Sequence, residues 1–350
     1  MENAEVTEKG KMREIAQLLS ALFLLVVGCS GNHESLTPAP LPYYLNGTFR
    51  VHPTASLIAA ATGPRNKGEQ YRVSLFDFEG KHLYSRTTTR STPMRIVWSS
   101  TGRSLFYLDE ENRLLRFSLH EHAVRLELEE EVDLDESLRV FELIAHGEDL
   151  FVVGTTQIMV FSELDDFNIY RVEDKLFSGV EAHPILHDRV EDSGTIIDAV
   201  PIGKNDSRWI LGSSCCLYAA DLAKSTVEQI YSREGGDPLI VDFTYGAGIV
   251  FVLTSEPALW KLPLGKGNHV LSYMTPLPEQ GRGIVLTDRN LVWIGHARKA
   301  AFSTTRNGNT EALDQMRYPD PNALASHENR VFLLGFDAKV YMYSPDSPQE

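Results

Sequence analysis

The chain has 350 residues, carries a formal net charge of −15 at pH 7, and is 43% hydrophobic and 23% charged. An acidic surface is repelled by phosphate groups, which argues against binding to nucleic acid and against docking on anionic lipid headgroups. The length suffices for one large β domain or two smaller ones.

The first predicted element is a short apolar stretch that follows positive charge. Three basic residues between positions 9 and 13 precede an apolar run over residues 15–27, and Cys29 follows the small Gly28. The run is shorter than the about 20 apolar residues that a membrane-spanning helix needs. Its layout is that of a secretion signal. A cleaved signal with an incidental Cys29 is the alternative.

The run Val26-Val27-Gly28-Cys29 resembles the lipobox of bacterial lipoproteins. The resemblance implies removal of residues 1–28 and lipidation of Cys29, with several acyl chains that together hold the protein permanently on a membrane. Ser30 stands where the family's inner-membrane retention signal is Asp, which favours the outer membrane of the cell envelope, on its periplasmic or its outer side. We therefore expect a lipidated Cys29 with a flexible tether over residues 29–42.

The remaining domain, residues 43–350, is a succession of short β-type runs separated by turns. The clearest unit, Arg95–Leu119, has three such runs, and an alternating run at 123–128 follows as an outer strand. An apolar second strand recurs at intervals of 48, 45, 59, 40, 42 and 40 residues, starting at Ser56, Ser104, Asp149, Arg208, Gly248, Asn290 and Arg330. This spacing predicts an all-β fold, a β-propeller of four-stranded blades. Seven blades fit best, with six or eight as alternatives.

One unit also carries a recognisable turn motif. The run from Trp98 to Gly102, with Leu105 three residues later, resembles the Trp-Ser-Pro-Asp-Gly-x-x-Leu pattern of TolB-like and WD40-like propeller repeats. The last unit has only three predicted strands, while Pro42–Asn46 precedes the first unit without a place in it. We expect this segment to complete the last blade and remove its open edge.

Candidate partner-binding residues lie in three unusual segments, which a propeller would place on one face. The first is the loop over residues 62–71, the second is the acidic link Glu129–Glu136, and the third spans residues 175–195. Long loops on a rigid scaffold often bind partners, although solvated loops without a task are the alternative. The candidate residues are Arg65, Lys67, Asp133, Asp135, His183, His187 and Asp188.

No catalytic, cofactor-binding or metal-binding residue is assigned. Pro184 keeps the segment with His183 and His187 out of helical geometry, and an extended strand would separate the two by roughly 13 Å. His120 and His122 lack further ligands nearby. The adjacent Cys215 and Cys216 are interpreted as small buried side chains on opposite faces of a strand, with a redox switch as the alternative.

The sequence therefore favours a lipid-anchored, non-catalytic binding or scaffold module for envelope protein partners. It has neither a nucleophile elbow nor a phosphate-binding glycine loop. The alternative is a propeller enzyme, such as a hydrolase, a lactonase or a quinoprotein-like dehydrogenase, with a metal or cofactor in the central channel. A third hypothesis is a glycan-binding lectin. The oligomeric state is open.

Overall fold

The strands form seven separate antiparallel sheets, as seen in a computed structural model. It describes residues 48–63, 70–134, 138–147, 149–155, 167–172, 183–184, 196–203, 207–233, 237–265, 270–297, 300–315, 317–318, 320–335 and 337–345. In this part of the chain the helical structure consists of one 3₁₀ turn, Glu121–Ala123. No helix among these residues has the length and apolar character that crossing a bilayer requires.

Each sheet is one blade, and its strands pair in the order in which they occur along the chain. The strands of blades 1 to 3 are β1 Phe49–Val51, β2 Leu57–Thr62, β3 Arg72–Asp77 and β4 His82–Thr87; β5 Pro93–Trp98, β6 Ser104–Asp109, β7 Arg113–His120 and β8 Arg125–Asp133; and β9 Arg139–His146, β10 Asp149–Thr155, β11 Asn168–Val172 and β12 His183–Pro184.

Blades 4 to 7 follow the same plan. Their strands are β13 Ile196–Pro201, β14 Arg208–Ser213, β15 Cys216–Asp221 and β16 Thr226–Ser232; β17 Ile240–Gly246, β18 Ile249–Thr254, β19 Ala258–Pro263 and β20 Ser272–Pro276; β21 Gly281–Leu286, β22 Asn290–Gly295, β23 Ala301–Thr305 and β24 Thr310–Ala312; and β25 Pro321–His327, β26 Arg330–Gly335 and β27 Val340–Tyr343.

The predicted seven-bladed propeller is confirmed. Each of the seven recurring apolar runs forms the second strand of its own blade. Blade 7 contributes three strands within the described residues. The segment Pro42–Asn46, which we expect to complete that blade, lies outside them, so its role stays a prediction.

The blades pack as a closed ring around their first strands. Each first strand contacts the first strand of the next blade, and β25 of blade 7 contacts β1 of blade 1. The apolar clusters lie between neighbouring blades, which is why strands such as β2 are buried along their whole length. Between blades 5 and 6, for example, Trp293 is fully buried and packs with Phe251. A four-stranded sheet has two apolar faces, and stacking buries both of them.

The seam between blades 7 and 1 is closed by the turn between β3 and β4. Phe78 of this turn packs against Phe332 of blade 7, with 4.6 Å between the ring centroids. Gly80, two residues later, has a φ of +81°, and a Cβ there would collide with the backbone carbonyl of Val340 on β27. The backbones of the first and last blades therefore touch directly at this glycine.

The turn motif Trp98–Gly102 connects blade 2 to blade 1. The backbone N–H of Ser104 donates to the Ser99 hydroxyl at 3.1 Å, which fixes the turn. Gly102 has a φ of +76°, and its carbonyl oxygen lies 2.9 Å from Nε2 of the buried His52. Because Nδ1 of His52 accepts the backbone N–H of Ala55, Nε2 carries the proton and donates it to Gly102. The motif thus has a structural role.

The acidic segment after residue 128 differs from the predicted link. Residues 125–133 form the outer strand β8, which pairs with β7 as far as Asp133 opposite Arg113. Arg116 of β7 lies 3.3 Å from Glu129 and 3.8 Å from Glu130. Glutamate is uncommon in strands, but a charged outer edge resists pairing with other chains. The arginines of β7 also offset the negative charge.

Candidate binding surfaces of the propeller

Charged and polar side chains surround the central channel at one level. In each of blades 2 to 7 the pairing between the first and the second strand shifts by one residue, which is a β-bulge. A polar residue lies at or directly beside each of these bulges. The six residues, in blade order, are Arg95, Glu142, Asp198, Asp242, Arg282 and Asn322.

Several of these side chains join neighbouring blades. Nε of Arg95 donates to Oε2 of Glu142 at 2.8 Å, and both side chains are almost fully buried. Oδ2 of Asp242 accepts the backbone N–H of Ile284 in the next blade at 2.9 Å. Arg282 donates to the backbone carbonyl of Asn322 at 2.8 Å. The polar level of the channel therefore holds blades together.

The carboxyl groups of blades 3 to 5 stand close enough to repel one another. Burial and the charge of Glu142 raise the pKa of Asp198 to about 6, although Arg50 and Arg95 oppose the shift. Burial and the charge of Asp198 raise the pKa of Asp242 well above its ordinary value, and Arg50 opposes this shift too. Ionising Asp198 in the folded protein therefore costs free energy.

Replacing Asp198 by Asn should stabilise the protein at pH 7 and flatten its pH dependence. A carboxyl whose pKa is raised on folding binds more protons in the folded state between about pH 4 and pH 6. The wild type should lose stability as the pH rises through that window, by about 1–3 kcal/mol, whereas the Asn variant should lose less, because only Asp242 remains to titrate there. The free energy of unfolding, measured by denaturant titration from pH 4 to pH 7, tests this.

Asp221 in the same blade provides a control of opposite sign. Hydrogen bonds from Lys224 and Ser207 lower its pKa to about 2. Its contribution to stability is present above about pH 4 and is lost as the pH falls through about 2. Asp221→Asn should therefore destabilise the protein at neutral pH. If Asp198→Asn destabilises the protein at pH 7 as Asp221→Asn does, ionised Asp198 does not cost the folded protein free energy.

A basic groove lies along the outer part of blade 2. It has a volume of about 940 Å³ and is lined by Arg103, Ser104, Arg116, Ser118, Leu119, His120, His122, Ala123, Arg125 and Glu129. Much of its positive charge is already paired. Arg116 lies 3.3 Å from Glu129, and Arg125 lies 3.6 Å from Glu127, which is also hydrogen-bonded to His120. The groove is therefore a balanced charged surface rather than a strong site for anions.

A second groove lies on the rim between blades 4 and 5, and we call it the rim groove. It has a volume of about 440 Å³ and is lined by Gln229, Ile230, Tyr231, Ser232, Asp237, Pro238, Trp260, Val270 and Leu271. Tyr273 meets the Trp260 ring edge to face, with 5.6 Å between the centroids. Val270 is 64% exposed and Tyr273 is 53% exposed. Apolar and aromatic side chains in a groove are typical of protein-binding surfaces.

Three of the five exposed large apolar side chains in the described part of the chain lie in or beside the rim groove. The five are Leu128, Leu239, Val270, Tyr273 and Met342. Val270 lines the groove, Tyr273 borders it through its contact with Trp260, and Leu239 follows the groove residue Pro238. Single exposed apolar residues need no explanation, but a cluster of them marks an interaction surface.

Most of the binding residues predicted from sequence lie outside the described residues. These are Cys29, Arg65, Lys67, Asp135, His187 and Asp188, and for them the predictions stand as made. Asp133 is the exposed last residue of β8. His183 belongs to the short outer strand β12, where it pairs with Arg171. The described residues contain no group of three or more His, Cys, Asp or Glu side chains placed to hold a metal ion.

Comparison with known proteins places the fold among propellers. Sqt1 of Saccharomyces cerevisiae superposes with a TM-score of 0.56 at 13% identity, over 90% of this chain and 88% of Sqt1. The chain has the fold of a WD40-like β-propeller. The computationally designed protein Ika8 also superposes on this propeller, with a TM-score of 0.56 at 8% identity, over 88% of this chain and 99% of Ika8.

Sequence comparison adds no family to this fold. No family model and no curated protein matches the propeller chain. Sequence reasoning also missed the rim groove, because its residues belong to β16, β19 and the segments beside them, spread over more than 40 positions. The one local signal was the pair of apolar residues Val270 and Leu271, which directly precedes the outer strand β20.

Proposed function

We propose that the propeller is a non-catalytic binding module that receives a segment of a partner protein in its rim groove. The observation that carries the proposal is the cluster of exposed apolar and aromatic side chains around Trp260, Val270 and Tyr273. Structural neighbours with WD40-like propellers are consistent with a protein-binding scaffold.

The chemistry of the groove indicates what kind of segment it fits. The Trp260 and Tyr273 rings suit an apolar or aromatic anchor residue. The protein as a whole carries a net charge of −15, and Asp237 lies in the groove wall. Like charge would slow the approach of an acidic partner, whereas a basic one is attracted. We therefore propose an apolar protein segment flanked by Lys or Arg.

The lipobox-like run at Val26–Cys29 supports a location for this module. A lipidated Cys29 would hold the propeller at the bacterial cell envelope, and Ser30 favours the outer membrane. A proline-rich tether over residues 29–42 reaches at most about 40 Å from the lipid surface. The partner would then be another envelope protein.

One crosslinking experiment tests both the groove and the anchor. A photo-crosslinking amino acid replaces Tyr273, and the chain is produced in cells with Cys29 intact or replaced by Ala. We expect one discrete crosslinked partner at Tyr273, and fractionation with membranes only when Cys29 is present. The matched control places the same crosslinker at Met342, an exposed apolar position on blade 7.

A charge in the groove should abolish binding without unfolding the protein. Because Val270 is largely exposed, Val270→Asp should leave the melting temperature nearly unchanged. It should nevertheless remove the Tyr273 crosslink, because the apolar anchor of the partner, rather than its basic flanks, would cover the new carboxylate and bury it without a counter-charge. Equal crosslinking from Met342, or a crosslink that survives Val270→Asp, would overturn the rim groove as the binding site.

A further inference from the structure

Two adjacent thiols face each other at the turn between β14 and β15 of blade 4. Cys215 is partly exposed, Cys216 is buried, and no disulfide joins them. Their Sγ atoms are 3.0 Å apart. The sequence predicted opposite faces of a strand, but Cys215 precedes β15 and lies in the turn, so the prediction of diverging side chains is wrong.

The turn is held in this arrangement by a buried serine. The backbone N–H groups of Cys216 and Cys215 both donate to the hydroxyl of Ser213, at 3.0 and 3.4 Å. The same hydroxyl lies 3.4 Å from Sγ of Cys215. Ser213 is fully buried. The two sulfur atoms are therefore kept together by the fold.

We propose that Cys215 and Cys216 are a redox-active dithiol that closes reversibly to a vicinal disulfide and thereby alters the rim groove. The oxidant is a low-molecular-weight disulfide. The Cys215 thiolate attacks one of its sulfur atoms, forms a mixed disulfide and releases one thiolate. The Cys216 thiolate then attacks the Cys215 sulfur and releases the second thiol. Two protein thiols are oxidised and one external disulfide is reduced to two thiols.

The order of these steps follows from exposure. Cys215 is reached first because it is the more exposed thiol, and Cys216 resolves the mixed disulfide from inside the fold. Burial raises the pKa of the Cys215 thiol, so the exchange should accelerate as the pH rises. Adjacent Cα atoms are about 3.8 Å apart, closer than the usual disulfide range. A strained disulfide is easily reduced, which makes the closure reversible.

The dithiol is connected to the rim groove by a chain of hydrogen bonds through Arg233. The carbonyl of Cys215 belongs to the peptide bond that joins the two cysteines, and it accepts the backbone N–H of Arg233 at 2.9 Å. The Arg233 side chain in turn donates to the carbonyl of Asp237, a residue of the groove wall. The carbonyl of Ser214 accepts the N–H of Ile240.

Closing the ring must reorient the peptide bond between the cysteines and so weaken the hydrogen bond from Arg233. Cys216 also lies opposite Ser232 on β16, and the next residue pair includes Tyr231 of the groove. We therefore expect oxidation to perturb the groove wall formed by Tyr231, Ser232 and Asp237. The thiol chemistry stands independently, whereas its consequence for partner binding rests on the proposed function.

The test uses the full-length chain with Cys29→Ala, which leaves the two vicinal cysteines as its only thiols. The reduced protein is treated with glutathione disulfide at about pH 8. It is then alkylated under denaturing conditions, digested and analysed by mass spectrometry. We expect a peptide that carries no alkyl group and has lost two hydrogens. Dithiothreitol should restore both alkylation sites.

Two matched variants separate the roles of the thiols. Cys216→Ser should stop at a stable glutathione adduct on Cys215, and Cys215→Ser should stay largely unmodified because Cys216 is buried. Full alkylation of both cysteines after the oxidant would overturn the proposal. A glutathione adduct that persists in the chain with both cysteines would also overturn it.

Hydrogen exchange tests the connection to the groove without any partner. In the oxidised protein the backbone amide of Arg233 should exchange about three- to tenfold faster, as expected for the loss of one hydrogen bond. Amides of blade 1 should be unchanged. A disulfide that forms without faster exchange over residues 229–240 would overturn the connection. None of these results depends on whether the rim groove binds a protein.

Discussion

Replacing Glu142 by Ala should lower the free energy of unfolding by about 3–5 kcal/mol. The Arg95 guanidinium would lose its carboxylate partner at 2.8 Å while staying buried between blades 2 and 3. A buried charge that loses its hydrogen-bonded partner is costly because water cannot replace that partner, and the more distant Asp198 offsets only part of the loss. The backbone N–H of Leu143, which donates to Oε1 of Glu142, would lose its acceptor as well. Denaturant unfolding at pH 7 measures the loss.

An exposed ion pair in blade 3 gives the matched control. Arg171 and Asp149 also approach to 2.8 Å, but both side chains are more than 40% exposed. Asp149→Ala should therefore cost less than about 1 kcal/mol. Replacing the buried pair together, with Arg95→Met and Glu142→Leu, should cost much less than Glu142→Ala alone. If Glu142→Ala costs no more than Asp149→Ala, the pair does not hold the blades together.

The sequence predicts the blades because their second strands carry a purely local signal. A run such as Leu57–Ala61 is buried on both faces, so it reads as continuous apolar sequence between turns. The outer strand β8 is harder to recognise. The alternating residues 123–128 predict its beginning, but the run of glutamates after them indicates a solvated link, and pairing with Arg113 and Arg116 of β7 extends the strand to Asp133. The glutamates themselves do not show how far along β7 the outer strand continues to pair.

The candidate surfaces could not be predicted because they join residues that are distant along the chain. Arg95 and Glu142 are 47 positions apart, and neither lies in a motif. Asp198 and Asp242 look like ordinary polar positions of alternating strands until the bulges bring them to one level of the channel. For the thiols, the residue at which β15 begins decides whether the two sulfur atoms meet. With Cys215 in the turn rather than in β15, the two sulfurs meet instead of diverging.

Replacing Gly80 by Ala should open the seam of the ring and cost about 2–5 kcal/mol of stability. Two effects add at this position. The φ of +81° strains any residue with a Cβ, and that Cβ would also collide with the carbonyl of Val340 on blade 7. Relief requires the β3–β4 turn to move away from β27, which separates Phe78 from Phe332. Denaturant unfolding gives the loss, and hydrogen exchange should show its largest increase in blades 1 and 7.

Gly147 separates the two effects, because its φ is +63° but a Cβ there would meet no atom within 4 Å. Gly147→Ala should therefore cost only the backbone strain, about 1–2 kcal/mol, without faster exchange at the seam. The difference between the two alanine variants measures the contact between the first and last blades. Equal costs would mean that the turn moves aside freely. The ring would then be held closed chiefly by the contact of β1 with β25 and the apolar cluster between blades 7 and 1.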